Sequence, residues 1–206
     1  MSMTGHLVIL IDDNAADRYI LRELVESVHL PTKEFSTISG FLEAGLPDRP
    51  ACIVTDVRLP VMNALDLLET LSQKKYHIPT ILISGHADVD LVVRAMKLNA
   101  EDFLIKPVPQ QTLLNAVNHA LQKAERIWHE REQREAAQGK LASLTDRERN
   151  VFDMLVTGKP LKAIAAELKI SSKTLSIHRT HIQQKLKIDN VVEMLRLIEQ
   201  VAEWNY

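Results

Sequence analysis

Residues 51–60 read ACIVTDVRLP, an apolar run that stops at the carboxylate of Asp56 and reaches a proline at Pro60. So short a run, closed by a charge and then a proline, has the pattern of a buried strand that delivers its last side chain to the end of a sheet. The form recurs on either side. LVILI (7–11) runs into Asp12 and Asp13, TILIS (80–84) ends on Ser84, and DFLIK (102–106) ends on Lys106 before Pro107, with EFS (34–36) as a shorter member. LVILI and TILIS are apolar throughout rather than alternating, as strands covered by helices on both faces are. Between the runs lie 15–28, 38–44, 65–72 and 89–98, with apolar residues three and four apart, and a fifth helical pattern begins near Gln110. This alternation predicts an α/β domain with a five-stranded, doubly wound parallel sheet, whose ligands bind at the carboxyl ends of the strands.

Beyond the sheet the chain changes character. From Gln111 the helical pattern continues to about Ala137, and after Ile127 and Trp128 it turns polar, HEREQREAAQGK, as a solvated linker helix would. Leu121, Ala124 and Trp128 leave a thin stripe, either docked on the chain's own domain or paired with a partner helix. After Gly139 the pattern is all helical. Thr145 and Glu148 form a capping box, Gly158 and Pro160 close that helix, and Leu161–Leu168 is a second. Ser171 or Ser172 caps a third helix that runs to about Lys187, and Asn190 with Glu193 caps a fourth. The tight K169-I170-S171 connection marks a helix-turn-helix in a four-helix bundle. The expected organisation is therefore α/β plus all-α: a domain at 1–120, a helical linker at 121–140 and a helix-turn-helix domain at 141–206.

Composition restricts the function. The 206 residues are 46% hydrophobic and 25% charged, as in a soluble globular protein, and no apolar run approaches the roughly 20 residues of a membrane span. The opening MSMTGHLVILIDDN has no basic region and no small-residue cleavage site, so a cytoplasmic protein is expected. Cys52 is the only cysteine, which excludes an internal disulfide and a cysteine-built zinc site. Charge is divided unevenly. Residues 1–122 carry ten Lys/Arg and fifteen Asp/Glu, a net −5; residues 123–140 carry five and four, +1; residues 141–206 carry ten and eight, +2. Within the last segment, 158–187 holds seven basic residues against Glu167 alone, a local +6. An acidic half joined to a locally basic half suggests a regulatory module coupled to a polyanion binder.

In a doubly wound sheet Asp12, Asp13 and Asp56 would converge on one pocket. Clustered carboxylates repel unless a cation is bound, and an oxygen-only site that keeps several waters suits magnesium. Ser84 and Lys106 would add a hydroxyl and an ammonium, the groups needed to hold phosphoryl oxygens and neutralise their charge. Over residues 5–120 this constellation resembles the flavodoxin-like receiver domain of two-component response regulators, and the segment SGHADVDLVVRAMKLNAEDFLIKP resembles the FixJ-like group. The resemblance implies that Asp56, in TDVRLP, takes a phosphoryl group from a sensor histidine kinase. It implies that Asp12, Asp13, Asp56 and the backbone carbonyl of Arg58 hold Mg2+, that Ser84 and Lys106 bind phosphoryl oxygens, and that Phe103 reports the phosphorylated state. The chain departs from the family pattern at Ala64 and Asn99, where glycines are usual; Asn tolerates positive φ, whereas Ala64 should reshape the loop beside the site.

The segment LTDRERNVFDMLVTGKPLKAIAAELKISSKTLSIHRTHIQQKL resembles the LuxR-type helix-turn-helix. On a helical wheel Leu175, Arg179, Ile182 and Leu186 fall within about 40° of one another and form the core face. Lys173, Ser176, Ile177, Thr180, His181 and Gln184 lie opposite. Ser176 and Thr180 can hydrogen-bond base edges and Ile177 can pack on a thymine methyl, while Lys173, Arg179 and Lys185 suit phosphates. The pair His178 and His181 lacks the cysteine or acid neighbours of a metal site. The resemblance implies a transcriptional regulator that binds double-stranded promoter DNA as a homodimer once phosphorylated and that contacts RNA polymerase. It adds the last helix as dimer contact, and the stripe Val191, Leu195, Ile198 and Ala202, with Met194 and Val201 beside it, serves the core, a partner, or both. Two other readings stay open: an enzyme or electron carrier on the same sheet, against which stands IDDNAAD in place of a Gly-rich loop, and a DNA binder whose receiver-like half is never phosphorylated.

Overall fold

A computed structural model describes residues 5–86 and 88–202. In chain order it contains β1 (Leu7–Ile11), α1 (Ala15–Glu26), β2 (Thr32–Phe35), α2 (Ile38–Glu43), β3 (Ala51–Asp56), α3 (Ala64–Gln73), β4 (Thr80–Ser84), α4 (Val89–Lys97) and β5 (Asp102–Ile105). These are followed by α5 (Gln110–Ala142), α6 (Asp146–Leu155), α7 (Leu161–Glu167), α8 (Ser172–Leu186) and α9 (Val191–Ala202). The described residues divide into two compact units between Trp128 and His129.

In the first unit the strands form one five-stranded sheet, β2-β1-β3-β4-β5, parallel throughout. The order reverses between β1 and β3, which opens a crevice at their carboxyl ends. Both faces of the sheet are covered. Val8, Leu10, Val54, Ile81 and Ile83 pack against α1 and α5 residues including Val25, Leu113, Val117 and Leu121. Ile9, Ile11 and Ile53 pack on the other side against Phe41, Leu67 and Leu71. This double coverage is the physical reason LVILI and TILIS carry no polar alternation. The short EFS strand is shifted, since β2 ends at Phe35.

The second unit packs α6, α7, α8 and α9 around Phe152, Ile164, Leu175, Ile182, Leu186, Met194 and Leu197. The capping box at Thr145 and Glu148 forms as expected, and Ser171 caps α8 by accepting from the Thr174 N–H. Gly158, at φ 73°, supplies the left-handed turn after α6.

α5 continues as one helix through the stretch expected as a helical linker, and it ends five residues beyond the expected Ala137. It is 33 residues long and runs through Gly139 to Ala142. Gly139 stands in open surroundings, so it costs only the conformational freedom of roughly 1 kcal/mol that a mid-helix glycine loses, and burial of Ala137 and Leu141 in the second core offsets that. Along α5, Leu121 is buried in the sheet's core, Ala124 is buried one turn on, and Ala137 and Leu141 belong to the core of the helical unit. In α9 the buried face is Met194 and Leu197, with Ile198 and Val201 packed beside them, so Ile198 of the expected stripe serves the core; Leu195 of that stripe is exposed, together with Val192.

Candidate functional site

Strand register assembles the first site. Ile11 lies opposite Thr55, Asp56 opposite Ile83, and Ser84 opposite Ile105. Asp12, Asp56, Ser84 and Lys106 therefore emerge side by side where the sheet ends. Lys106 sits at the centre. Its Nζ lies 2.7 Å from Asp17 Oδ2, 2.9 Å from Asp56 Oδ1 and 3.2 Å from Asp12 Oδ2. Burial works against the Lys106 charge, but bonds to Asp17 and Asp56 and the charges of Asp12 and Asp56 outweigh it, and its pKa is raised above the ordinary lysine value. Lys106 is a fixed cation at any ordinary pH.

Asp56 offers a side chain 14% exposed, enough for a small donor to reach it, and its second oxygen accepts the Arg58 N–H at 2.7 Å. Asp12 is 2% exposed. Burial raises its carboxyl above the ordinary value, opposed by the Asn14 N–H at 2.9 Å and by Lys106, and reinforced by the nearby charge of Asp56. Asp13, by contrast, is exposed, and no described group of three or more acids or histidines is gathered as a metal cluster. The ammonium of Lys106 bridges Asp12 and Asp56, where a second cation would also be drawn. The donor set of carboxylates and a loop carbonyl remains one that suits magnesium, a hard cation that prefers oxygen.

Ser84 is 1% exposed and reaches the crevice's edge, where its Oγ donates to the His86 carbonyl at 2.6 Å and accepts the His86 N–H at 3.2 Å. Its hydrogen bonds are thus taken up by its own loop. Phe103 is half-buried against Leu82, Ala95 and Ala100, on the β5 side of the site. Asn99 takes positive φ, 62°, as its residue type allows. Ala64 does not carry the loop's unusual backbone. It is buried at the start of α3 and donates to the Val57 carbonyl at 3.2 Å, while the left-handed residue is Val61, φ 70° and fully exposed, with the Met62 N–H bonded to the Pro60 carbonyl.

Sequence reasoning missed Asp17. It stands in the first turn of α1, behind the cap Asn14, whose side chain accepts the N–H groups of Ala16 and Asp17. The signal was present in IDDNAAD: an acid three residues past a cap that itself follows a strand-end acid pair. Arg18, next to it, donates to the Asp12 carbonyl at 2.6 Å and pairs with Glu34, which ties α1 to the ends of β1 and β2.

The second site is the outer face of α8. Leu175, Ile182 and Leu186 are buried, while Lys173, Ser176, Thr180 and Ile177, the last 48% exposed, face outward. Arg179 is half-buried. Ser176 and Thr180 donate to the carbonyls four residues back, at 3.0 and 3.1 Å, which leaves their oxygens as acceptors. Lys185 is engaged within the unit: its Nζ lies 2.6 Å from Glu148 Oε2 and pins α8 to α6. That pair, with the Thr145 hydroxyl and N–H, holds the Glu148 carboxyl down to about 2.

Comparison with known proteins covers both units. Residues 8–118 match the family described as response regulator receiver domain, and residues 142–198 that of bacterial regulatory proteins, luxR family. The chain is 37% identical over 190 residues to the transcriptional regulatory protein FixJ of Azorhizobium caulinodans, which covers 92% of this chain and 90% of that one. It is 34% identical to the protein of the same name from Bradyrhizobium diazoefficiens, over the whole of both chains. Among solved structures, the response regulator StyR matches with a TM-score of 0.84 at 35% identity, over 95% of this chain and 99% of that one. Full-length FixJ from B. japonicum matches at 0.57 and 33%, over 99% and 100%.

Proposed function

The chain belongs to the response regulators that join a receiver domain to a LuxR-type DNA-binding domain, and from that premise we propose that phosphorylation of Asp56 switches its binding to promoter DNA as a dimer. It is a transcriptional regulator by family. The observation that carries the finer reading is Asp56 itself, accessible at the end of β3 with Lys106 2.9 Å away and the Arg58 N–H on its other oxygen.

In the proposed transfer an Asp56 oxygen attacks the phosphorus of a phosphohistidine on a sensor kinase. The O–P bond forms as the P–N bond breaks, and the imidazole nitrogen leaves with the electron pair and takes a proton. Lys106 neutralises the incoming charge, and Ser84, released from His86, donates to a phosphoryl oxygen. Receiver domains generally bind magnesium at this place; here Asp12, Asp13, Asp56 and the Arg58 carbonyl would hold it, and when bound it supplies positive charge to the phosphoryl oxygens. The new charge is sensed through Lys106 and β5, with Phe103 changing rotamer.

On DNA, α8 would enter the major groove, with Ser176, Ile177 and Thr180 against base edges and Lys173 and Arg179 on phosphates. Lys185, engaged with Glu148, serves that surface by holding α8. The exposed pair Val192 and Leu195 on α9 is the proposed contact between two copies, and RNA polymerase the further partner. Among the described residues no helix is long and apolar enough to cross a membrane.

The test is incubation with labelled acetyl phosphate and magnesium. Wild type should take up acid-stable, base-labile label and Asp56→Asn, nearly isosteric, should take up none while keeping its fold; equal labelling of the two would refute the assignment.

A further inference from the structure

The shortest bond that Lys106 makes is to an acid outside the set of strand-end groups: Asp17, at 2.7 Å, against 2.9 Å to Asp56 and 3.2 Å to Asp12. Lys106 donates hydrogen bonds to Asp17 and Asp12 and stands 2.9 Å from Asp56 as an ion pair, so the three carboxylates share one ammonium. Asp17 cannot follow Lys106 into the crevice. Its helix is capped by Asn14 and fastened through Arg18 to the Asp12 carbonyl and to Glu34, so its position is set by backbone. A phosphoryl group on Asp56 presents new anionic oxygens to the same ammonium and nothing to Asp17. A contact made in only one of two states biases the equilibrium toward that state.

We propose that Asp17 is a positioning residue that competes with the phosphoryl group for Lys106, and thereby favours the unphosphorylated arrangement of the receiver. This rests on Asp56 being the phosphoacceptor. The two side chains are 35% and 29% exposed, so solvent moderates their attraction and the effect is that of a tuned bias rather than a block.

The test uses the full-length chain and beryllofluoride, a tetrahedral phosphoryl mimic that coordinates an aspartate carboxylate, titrated at saturating magnesium and followed by fluorine NMR. Four proteins are compared: wild type, Asp17→Asn, Lys106→Ala and the double variant. Asp17→Asn should bind the mimic about three- to fivefold more tightly than wild type, the size of a partly exposed ion pair. In the Lys106→Ala background the same substitution should change nothing. Asp17→Ala, which also removes the hydrogen-bond acceptor, should behave like Asp17→Asn, so a defect peculiar to one variant does not decide the result. An unchanged Asp17→Asn overturns the proposal, as does equal tightening with and without Lys106, which would mean that Asp17 acts by direct repulsion. Failure of wild type to bind the mimic or to be labelled at Asp56 overturns the phosphoacceptor reading itself, a different result from either.

Discussion

Asp12 of the receiver and Glu148 of the helix-turn-helix unit both expose little surface, at 2% and 5%, yet their carboxyls shift in opposite directions, because burial is the largest influence on Asp12 and the bond from Lys185 the largest on Glu148. Glu148 has an ammonium to itself. Lys185 at 2.6 Å and the hydroxyl and N–H of Thr145 complete its hydrogen bonds, and they hold its pKa near 2. Asp12 shares Lys106 with Asp17 and Asp56 at the longest of the three distances, so burial dominates and its pKa rises. The same side-chain chemistry thus makes a lock in one unit and an unresolved charge in the other. Donors owned outright stabilise a fold; donors divided among repelling acids leave a site that gains from a new cation or anion.

Substitutions can break or sharpen this contrast. The largest effect is expected for Lys106→Ala, which removes the shared cation: labelling of Asp56 should remain detectable, but phosphorylation should no longer raise DNA affinity in a gel-shift titration, whereas a wild-type response would deny Lys106 its coupling role. Glu148→Ala breaks the lock, leaving Lys185 unpaired and α6 without its reciprocal cap. The melting midpoint of the helical unit should fall by roughly 5 °C, with amides of α6 and α8 losing hydrogen-exchange protection and those of β1 and β3 unchanged.

Acid titration separates the two groups further. Because the Glu148 pKa is lowered on folding, its contribution is present above the ordinary carboxylate value of 4.5 and is lost as pH falls toward 2. Glu148→Gln should remove that acid-dependent loss in α6 and α8 protection. Asp12 has the reverse sign: its penalty is present above its raised folded pKa and is relieved as pH falls through it toward the ordinary 3.8. Asp12→Asn should therefore raise the receiver's melting midpoint near neutral pH while weakening magnesium binding measured by calorimetry. A lower midpoint would mean that Lys106 stabilises Asp12 more than burial destabilises it. The smallest effect is expected on the outer face of α8, where Ile177→Ala should reduce discrimination at a single thymine by about 1 kcal/mol in binding-site selection and leave non-specific affinity unchanged.

Much of the architecture is legible in the order of residues alone. Apolar runs of four to six residues ending in Asp12, Asp56, Ser84 and Lys106 give strands, their order and their chemistry, because a doubly covered parallel sheet must be apolar throughout and must show its polar groups where it ends. Cap signals at Thr145 and Ser171 are equally readable, since a cap needs only its own neighbours in sequence. What sequence leaves open is every pairing at long range. Lys185 reads as a free cation on a basic helix until α6 brings Glu148 against it from 37 residues away. Asp17 reads as a helix-start acid until β5, 89 residues on, places Lys106 beside it. The helical pattern from Gln111 reads only to about Ala137, and burial of Ala137 and Leu141 accompanies its continuation through Gly139. Periodicity and capping are local, so the sequence by itself determined the elements and the groups at their ends; which ammonium meets which carboxylate depends on distances that only packing sets, and the tertiary structure alone decided that Glu148 keeps its cation while Asp12 must share.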